Sequence, residues 1–546
     1  MLVRIAPQAA LVVSALALAP LAACDGEGTT DPSAPIQKGA SGSADSSAEA
    51  VVIDLAFSAE LVTSHCFSTQ QIVQDQLLYT IGQLNGHNSV GRLDRLALTN
   101  VKTDQDNTRG CKITYDARLP VAWGNKRSVP RSLEIVLPRD MSYTGLDGFT
   151  AKYKDSCVDF GAHDVTSGSM WYYFRPLQRG CSLASEDVVR STAQVSVSPV
   201  NTTGKYPEYD KVWEDDALKV VAVFGKFEDG ATSNDAGIDA FNSFVTGVKN
   251  ELRAFTPTTI PASLPSNPGV AVPDVTFTAS LPGGRSVQVV ALMVDNVREG
   301  GPAFEARYEA LSTDADLIVY NGHAGLGANV RALARMGKWV AGQYLIVFVN
   351  GCDTYAYIDT ALNEAHADVN PDDPEGTKYV DIVTNAMPSF FRSMAGATMA
   401  MFRGLLAHDE PRTYEKIFAD IDSAEVVIVT GEHDNTFIPG GSTPDPVDPA
   451  WTGLSESGTL AADQDRRFAT PKLAAGKYRF ATSGTGDVDL YVRVGDAPSE
   501  DLYDCRPYLS GSVETCDVEI TSATSVHVML NAYGRAADFK LTGTRL

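Results

Sequence analysis

The stretch "DADLIVYNGHAG", Asp314–Gly325, decides how the middle of this chain folds, together with "YLIVFVNGCDT", Tyr344–Thr354. Each is an unbroken aliphatic run that leads past a glycine to one reactive side chain, His323 in the first and Cys352 in the second. Apolar runs without polar alternation are buried on both faces, as strands of a helix-covered parallel sheet are. The text "NVRALARM" between them reads as a helical crossover. In such a sheet all strands point the same way, so one edge gathers the loops that bind ligands. Neighbouring strands lie about 4.8 Å apart. Strands at 316–320 and 344–349 are therefore expected side by side or one strand apart, with His323 and Cys352 meeting across the same edge.

Working outward, the alternation of strands and helices extends over 215–435 and predicts an α/β domain with a mostly parallel sheet in three layers. "LKVVAVF" and "VQVVALMV" read as further buried strands. Ile238, Phe241, Val245, Val248 and Leu252 recur at spacings of three and four and predict a helix. "GPAFEARYEALS" predicts another, and "GATMAMF" and "AEVVIVT" are read as added strands. Upstream, residues 50–200 form an α+β segment with a helix over Ser68–Gly86. Its strands are placed at "CKITYDARLPVAW", "SLEIVLP" and "SMWYYFRP". A Pro/Gly-rich linker occupies 436–452, and 453–546 shows the short strands and turns of a β-sandwich. A chain of 546 residues is long enough for this multidomain arrangement.

The formal charge of −24 excludes a nucleic-acid partner that would need clustered Lys and Arg. Residues 1–23 read as a processing signal: a basic start, an uncharged apolar segment, then Leu21-Ala22-Ala23-Cys24. Small residues before one cysteine, followed by a Ser/Gly/Ala/Pro-rich tether over 24–49, resemble a bacterial lipobox. The resemblance implies diacylglycerol on Cys24 and a chain anchored to a bilayer by lipid, in the inner or outer membrane of the envelope, rather than spanning it. Setting Cys24 aside leaves seven cysteines in an oxidising compartment, an odd number. Cys505 and Cys516 are close and pair readily. Cys66, Cys111, Cys157 and Cys181 can form two bridges among themselves, in a pairing the sequence leaves open. Cys352 is then the free thiol.

A thiol is a weak nucleophile at a pKa near 8.5, and a neighbouring imidazole can take its proton and return it to a leaving amine. Backbone N–H groups of Ala324 or Gly325 and of Cys352 are placed to stabilise an oxyanion, and Gly351 lets a substrate backbone approach. The order of hydrophobic strand, His-Gly, hydrophobic strand, Cys resembles the caspase-like peptidase clan of caspases, gingipains, clostripain and separase. The resemblance implies His323 and Cys352 as the catalytic pair, a protein or peptide substrate, and no required cofactor. Ala324 stands where that pattern has glycine, with Gly325 one place later. Asp353, beside the thiol, reads as an exposed loop aspartate, with a basic-residue pocket as the alternative.

In the last hundred residues, "SGTGDVDLYVRVGDAPSEDLYDCRPYLSGSVETCDVEI", Ser483–Ile520, resembles the bacterial pre-peptidase C-terminal domain. That resemblance implies a β-sandwich appended to an exported peptidase. Asp487 and Asp489 read as caps on a tight turn, with a metal as the alternative. In "DVNPDDPEG", Asp368, Asn370 and Asp372 offer oxygen donors of the kind Ca²⁺ takes, against the plainer reading of a solvated acidic loop. Two functions are consistent with the sequence. One is an envelope-anchored cysteine endopeptidase with a His/Cys dyad, in which 50–200 is a pro-domain or a substrate platform. The other is a catalytically silent caspase-like surface lipoprotein that acts as a binding or adhesion module.

Overall fold

The computed structural model describes residues 45–106, 110–431, 435, 437, 439, 451–474, 476–495, 497–500, 502–520 and 524–546. The signal segment, Cys24 and most of the 24–49 tether lie outside the described residues, as does most of the 436–452 linker. The N-terminal part supplies β1 (Ser46–Ser47), β2 (Val51–Thr63), β3 (Ser89–Gly91), β4 (Ala97–Asp106), β5 (Gly110–Trp123), β6 (Ser132–Pro138) and β7 (Val188–Val197). The middle part supplies β8 (Ala217–Gly225), β9 (Thr258–Ile260), β10 (Asp274–Ser280), β11 (Ser286–Val294), β12 (Leu317–Asn321), β13 (Leu345–Asn350), β14 (Val380–Asn385) and β15 (Val427–Gly431).

A nine-stranded sheet runs β1-β15-β14-β13-β12-β8-β11-β10-β9. Its centre, β14 to β11, is parallel, and the flanking strands are antiparallel. Alternate residues of the central strands sort to opposite faces. Val221, Ile318 and Val347 enter one core, and Val220, Val319 and Phe348 enter the other. This is why the runs are aliphatic throughout: both pleat faces are covered. Helices Gly301–Ser312, Ala328–Met336 and Ala361–Val369 cover the first face. Helices Ala236–Glu251 and Phe391–Leu406 cover the second. The helix Ala236–Glu251 is set by the predicted stripe and by Asp235, whose carboxylate accepts from the Gly237 and Ile238 amides at 2.8 and 3.0 Å. Such a cap stabilises a helix by about 1 kcal/mol.

The first of these cores continues into the N-terminal part without a break, so the six-stranded sheet over β2–β7 shares buried side chains with the face that carries β12 and β13. Farther on, β16 (Leu454–Leu460), β17 (Asp465–Ala469), β18 (Gly476–Gly484), β19 (Val488–Val494), β20 (Glu514–Ile520), β21 (Val526–Ala532) and β22 (Ala537–Arg545) form four- and three-stranded sheets around their own core. The expected C-terminal two-sheet arrangement is present. Its Asp487 caps the Gly511 amide at 2.7 Å and its Asp489 pairs with Arg506 at 3.2 Å.

Several expectations are corrected. "GATMAMF" is not a strand but the middle of the helix Phe391–Leu406, whose buried Met394, Thr398, Met401 and Leu405 follow a helical period visible only in a longer window. "SMWYYFRP" contains a short helix, Met170–Tyr173, with Met170, Trp171 and Phe174 buried one and three positions apart. The helix expected over Ser68–Gly86 is two, Thr69–Leu77 and Tyr79–Asn85. The end of the tether is ordered where Ser46 and Ser47 pair with Val429 and Ile428. Strand β14 went unread because Asp381 near its start looks like a loop residue. Asp381 is fully buried, satisfied by Lys205 at 2.6 Å and by the hydroxyls of Tyr344 and Tyr414 at 2.7 and 2.6 Å. Those partners are distant in sequence.

Candidate active site

Strands β12 and β13 are immediate parallel neighbours, and their register pairs Asn321 with Asn350. His323 and Cys352 therefore stand at matching positions, each two residues past the last pair. The ends of the strands are tied by buried amides. Asn350 Nδ2 donates to Asn321 Oδ1 at 2.8 Å, and Asn385 Nδ2 donates to Asn350 Oδ1 at 3.3 Å. The hydroxyls of Thr398 and Ser389 complete this ladder, at 3.0 Å to Asn321 Oδ1 and 2.8 Å to Asn350 Oδ1. Gly351 is required where the two loops touch, since a Cβ there would lie 2.7 Å from the Gly322 carbonyl oxygen and 3.3 Å from the Ala324 nitrogen.

The loop after β12 is held by its own carbonyl: the Tyr320 hydroxyl and Asn329 Nδ2 both donate to the His323 oxygen, at 2.8 and 2.7 Å. The His323 ring is exposed and lies between Phe227 and Phe391, with ring centroids 5.4 and 5.1 Å away. Its Nε2 is 3.0 Å from the Phe227 carbonyl oxygen, which only accepts, so Nε2 carries a hydrogen and donates there. Among the described residues no hydrogen bond joins this ring to the Cys352 thiol. Gly325 has a left-handed φ of 58°, a conformation glycine adopts without strain.

Cys352 is the one free cysteine among the described residues; the bridges are Cys66–Cys111, Cys157–Cys181 and Cys505–Cys516. The pairing that the sequence left open is thereby assigned, and the odd thiol is the expected one. Its Sγ donates to the Ser389 carbonyl oxygen at 3.5 Å. Burial pushes the thiol up to about 11, and the Asp353 charge pushes the same way. Hydrogen bonding with Ser389 and Tyr172 offsets only part of this.

Asp353 corrects an expectation, because it is wholly buried and not an exposed loop carboxylate. It adopts a left-handed φ of 53° and accepts from Asn85 Nδ2 at 2.9 Å. Burial raises its carboxyl to about 7, against the lowering effect of Asn85, Tyr172 and Arg175. Asn85, Tyr172 and Arg175 all come from the N-terminal part, which sequence reasoning had left without chemistry. The signal available was "MWYYF", whose two tyrosines are half-buried between buried neighbours. Glu425 is a second buried acid near the thiol. It caps the first turn of Phe391–Leu406 through the Phe390 amide at 3.2 Å and the Ser393 hydroxyl at 2.5 Å.

The acidic loop does not converge on a point. Asn370 is buried, accepting from the Gly342 amide at 2.7 Å and donating to the His366 carbonyl at 2.9 Å. Asp372 pairs with Lys378 at 2.6 Å and accepts from Tyr379 at 2.8 Å. Asp368 joins neither contact. Among the described residues no three His, Cys, Asp or Glu side chains gather as a ligand set. No described helix is long and apolar enough to cross a membrane.

No family model matches the chain. Over 72 residues, 13% of this chain and 12% of the relative, it is 42% identical to the neutral protease of Vibrio proteolyticus. Over 60 residues, 11% and 23% of the two chains, it is 43% identical to the zinc metalloprotease of Helicobacter pylori. Over 93 residues, 17% of each, it is 34% identical to alkaline serine exoprotease A of Vibrio alginolyticus. The chain thus spans less than a quarter of the length of these relatives. Among solved structures, it is 29% identical to vEP C-ter 100, covering 16% of this chain and 78% of that one with a TM-score of 0.11, too low to carry an argument. These relatives are named as metallo- and serine proteases, which overturns the expected membership in the caspase-like clan. The reason is physical: any helix-covered parallel sheet delivers successive strand ends to one edge, so His-then-Cys order on neighbouring strands does not specify a clan.

Proposed function

We propose that this chain is an exported peptidase-type protein whose own reactive centre is the Cys352 thiol assisted by His323. The observation that carries the reading is the register of β12 and β13, Asn321 against Asn350, which brings both side chains to the same sheet edge. In this reading His323 Nδ1 takes the thiol proton and Cys352 Sγ attacks a peptide carbonyl carbon. The imidazolium then returns the proton to the departing amine, leaving an acyl-enzyme that water hydrolyses. The Ala324 amide, whose nitrogen lies beside Gly351, is the candidate oxyanion donor.

Partial identity with proteases supports the peptidase class. The matched spans of 45 to 93 residues suit the length of the C-terminal sandwich, and we read that sandwich as the part shared with them. Three disulfides among the described residues suit an oxidising compartment. Cys24 is the lipid anchor in this reading, and mass spectrometry of the mature N-terminus for a diacylglyceryl thioether tests it.

A second reading, a catalytically silent binding module, is favoured by one observation: the thiol is held protonated and unpaired with the histidine. Alkylation of Cys352 across pH, in the native chain and in His323→Ala, separates the two. The peptidase reading expects the histidine change to slow labelling by about tenfold or more near pH 7. Equal rates at every pH would leave the binding module in its place.

A further inference from the structure

The two loops of the candidate centre are held from different parts of the chain. The His323 loop takes its contacts from the middle part, at Tyr320, Asn329, Phe227 and Phe391. The Cys352 loop is also gripped from the N-terminal part, through Asp353. That residue follows the thiol with a left-handed φ of 53° and leads the chain from β13 into the short helix Thr354–Tyr357. Residues other than glycine keep such a φ where their surroundings impose it. What fixes Asp353 therefore also sets the direction of Cys352.

Asn85 supplies that constraint. Its Nδ2 donates to Asp353 Oδ1 at 2.9 Å and to the Ser89 carbonyl oxygen at 3.2 Å, which uses both amide hydrogens. Both side chains are buried, and 268 residues separate them. Asn85 ends the helix Tyr79–Asn85, which Gln83 seats on β6. Gln83 Nε2 donates to the Glu134 carbonyl oxygen at 2.5 Å, and its Oε1 accepts from the Val136 amide at 3.0 Å. Past Asp353 the contact continues. The Arg92 guanidinium lies over the Tyr355 ring, 5.6 Å from its centroid, and reaches Thr430 Oγ1 on β15 at 3.4 Å. Ile81, Leu84 and Val90 share one core with Tyr355, Ala356 and Ile358. Removing 50–200 would bare that core and take from Asp353 the amide that holds it. No disulfide among the described residues joins the two parts, since Cys66–Cys111 and Cys157–Cys181 both close within 50–200.

We infer that residues 50–200 are a permanent part of the candidate centre and not a removable pro-domain, with Asn85 as a positioning residue that aims Cys352 through its bond to Asp353. The role given to Asn85 rests on the peptidase reading for its purpose. The geometry of the bond and the shared core stand apart from that reading.

Two measurements on the full mature chain test it. In the first, a specific protease site is inserted at the exposed Thr203–Gly204 turn and cut after folding. The N-terminal fragment is expected to co-elute with the remainder in native size-exclusion chromatography, and its release overturns the inference. This measurement substitutes nothing at the centre, so it decides even where the variants below do not fold. In the second, Cys352 is alkylated by iodoacetamide near pH 7 in the native chain, in Asn85→Asp and in the exchanged pair Asn85→Asp/Asp353→Asn, each with and without His323→Ala. Asn85→Asp keeps the shape and loses the donor, and the exchanged pair restores the bond with donor and acceptor reversed. The peptidase reading gives His323→Ala about a tenfold slowing in the native chain. Positioning by Asn85 expects that factor to fall to about twofold or less in Asn85→Asp and to recover in the exchanged pair. A bond that only stabilises would lower the urea midpoint and leave the factor unchanged, which overturns the role of Asn85. The two readings fail separately. If His323→Ala changes nothing in the native chain, the peptidase reading falls and Asn85 is judged on the labelling rate itself. A change of about threefold or more in Asn85→Asp that the exchange reverses then upholds positioning, and no change removes it.

Discussion

The side-chain amide of Asn350 donates to the carboxamide oxygen of Asn321 at 2.8 Å, tying two parallel strands together two residues before Cys352 and His323. Both amides are fully buried, and Ser389 and Asn385 also donate to Asn350. Asn350→Ala removes one donor and takes from Asn385 and Ser389 their shared acceptor, leaving them the longer bonds to Glu425 at 3.4 and 3.3 Å. We expect a loss of about 1–3 kcal/mol in urea unfolding, the cost of weakening a buried polar network. An unchanged midpoint would mean that the ladder is not what orders this edge.

Gly351→Ala tests the close approach of the two loops. The added carbon would lie 2.7 Å from the Gly322 oxygen, a backbone atom that cannot step aside. Forced overpacking of this kind costs about 1–3 kcal/mol. The expected outcome is a lower melting temperature together with altered Cys352 labelling, because the strain falls on the candidate centre itself.

His366 gives the fold a pH dependence. It is fully buried against Trp339, with neither ring nitrogen hydrogen-bonded, and burial lowers its pKa from 6.5 to about 4, opposed by Asp373. A base whose folded value is depressed contributes stability that is complete above 6.5 and is lost as pH falls towards 4. The difference amounts to ~3 kcal/mol at most. Urea unfolding at several pH values is expected to show a shallower acid slope in His366→Leu than in the native chain over that window. Parallel slopes would contradict the assignment.

The C-terminal sandwich is stapled by Cys505–Cys516, which closes a short loop of sequence separation 11. Replacing both with serine is expected to destabilise that domain by about 2–4 kcal/mol in the chain-entropy account. Thermal unfolding followed by calorimetry checks it, with the loss confined to the transition of the sandwich.

The sequence made the parallel centre of the sheet legible because burial on both faces writes strands as bare aliphatic runs, as in "LIVY" and "LIVFV". It also made the placement of His323 and Cys352 past matching strand ends legible, since parallel strands align their ends. The endings "VYN", "FVN" and "VTN" at Asn321, Asn350 and Asn385 carried one more signal, a shared terminal asparagine that would have placed β14 beside β13. Asp381 concealed that strand because its neutralising partners, Lys205, Tyr344 and Tyr414, come together only in the fold. The contribution of Asn85 and Tyr172 to the site was hidden for the same reason: it depends on packing between segments 180 and more residues apart, which no local period records. The clan suggested by two short motifs did not survive comparison with known proteins.

The most direct test is hydrolysis of a mixed peptide library by the mature chain, with Cys352→Ala and His323→Ala alongside, each with and without a metal chelator. The expected result is cleavage that is abolished by loss of Cys352, falls about a hundredfold or more without His323, and is indifferent to the chelator. Cleavage that survives Cys352→Ala, or that the chelator abolishes, would contradict it.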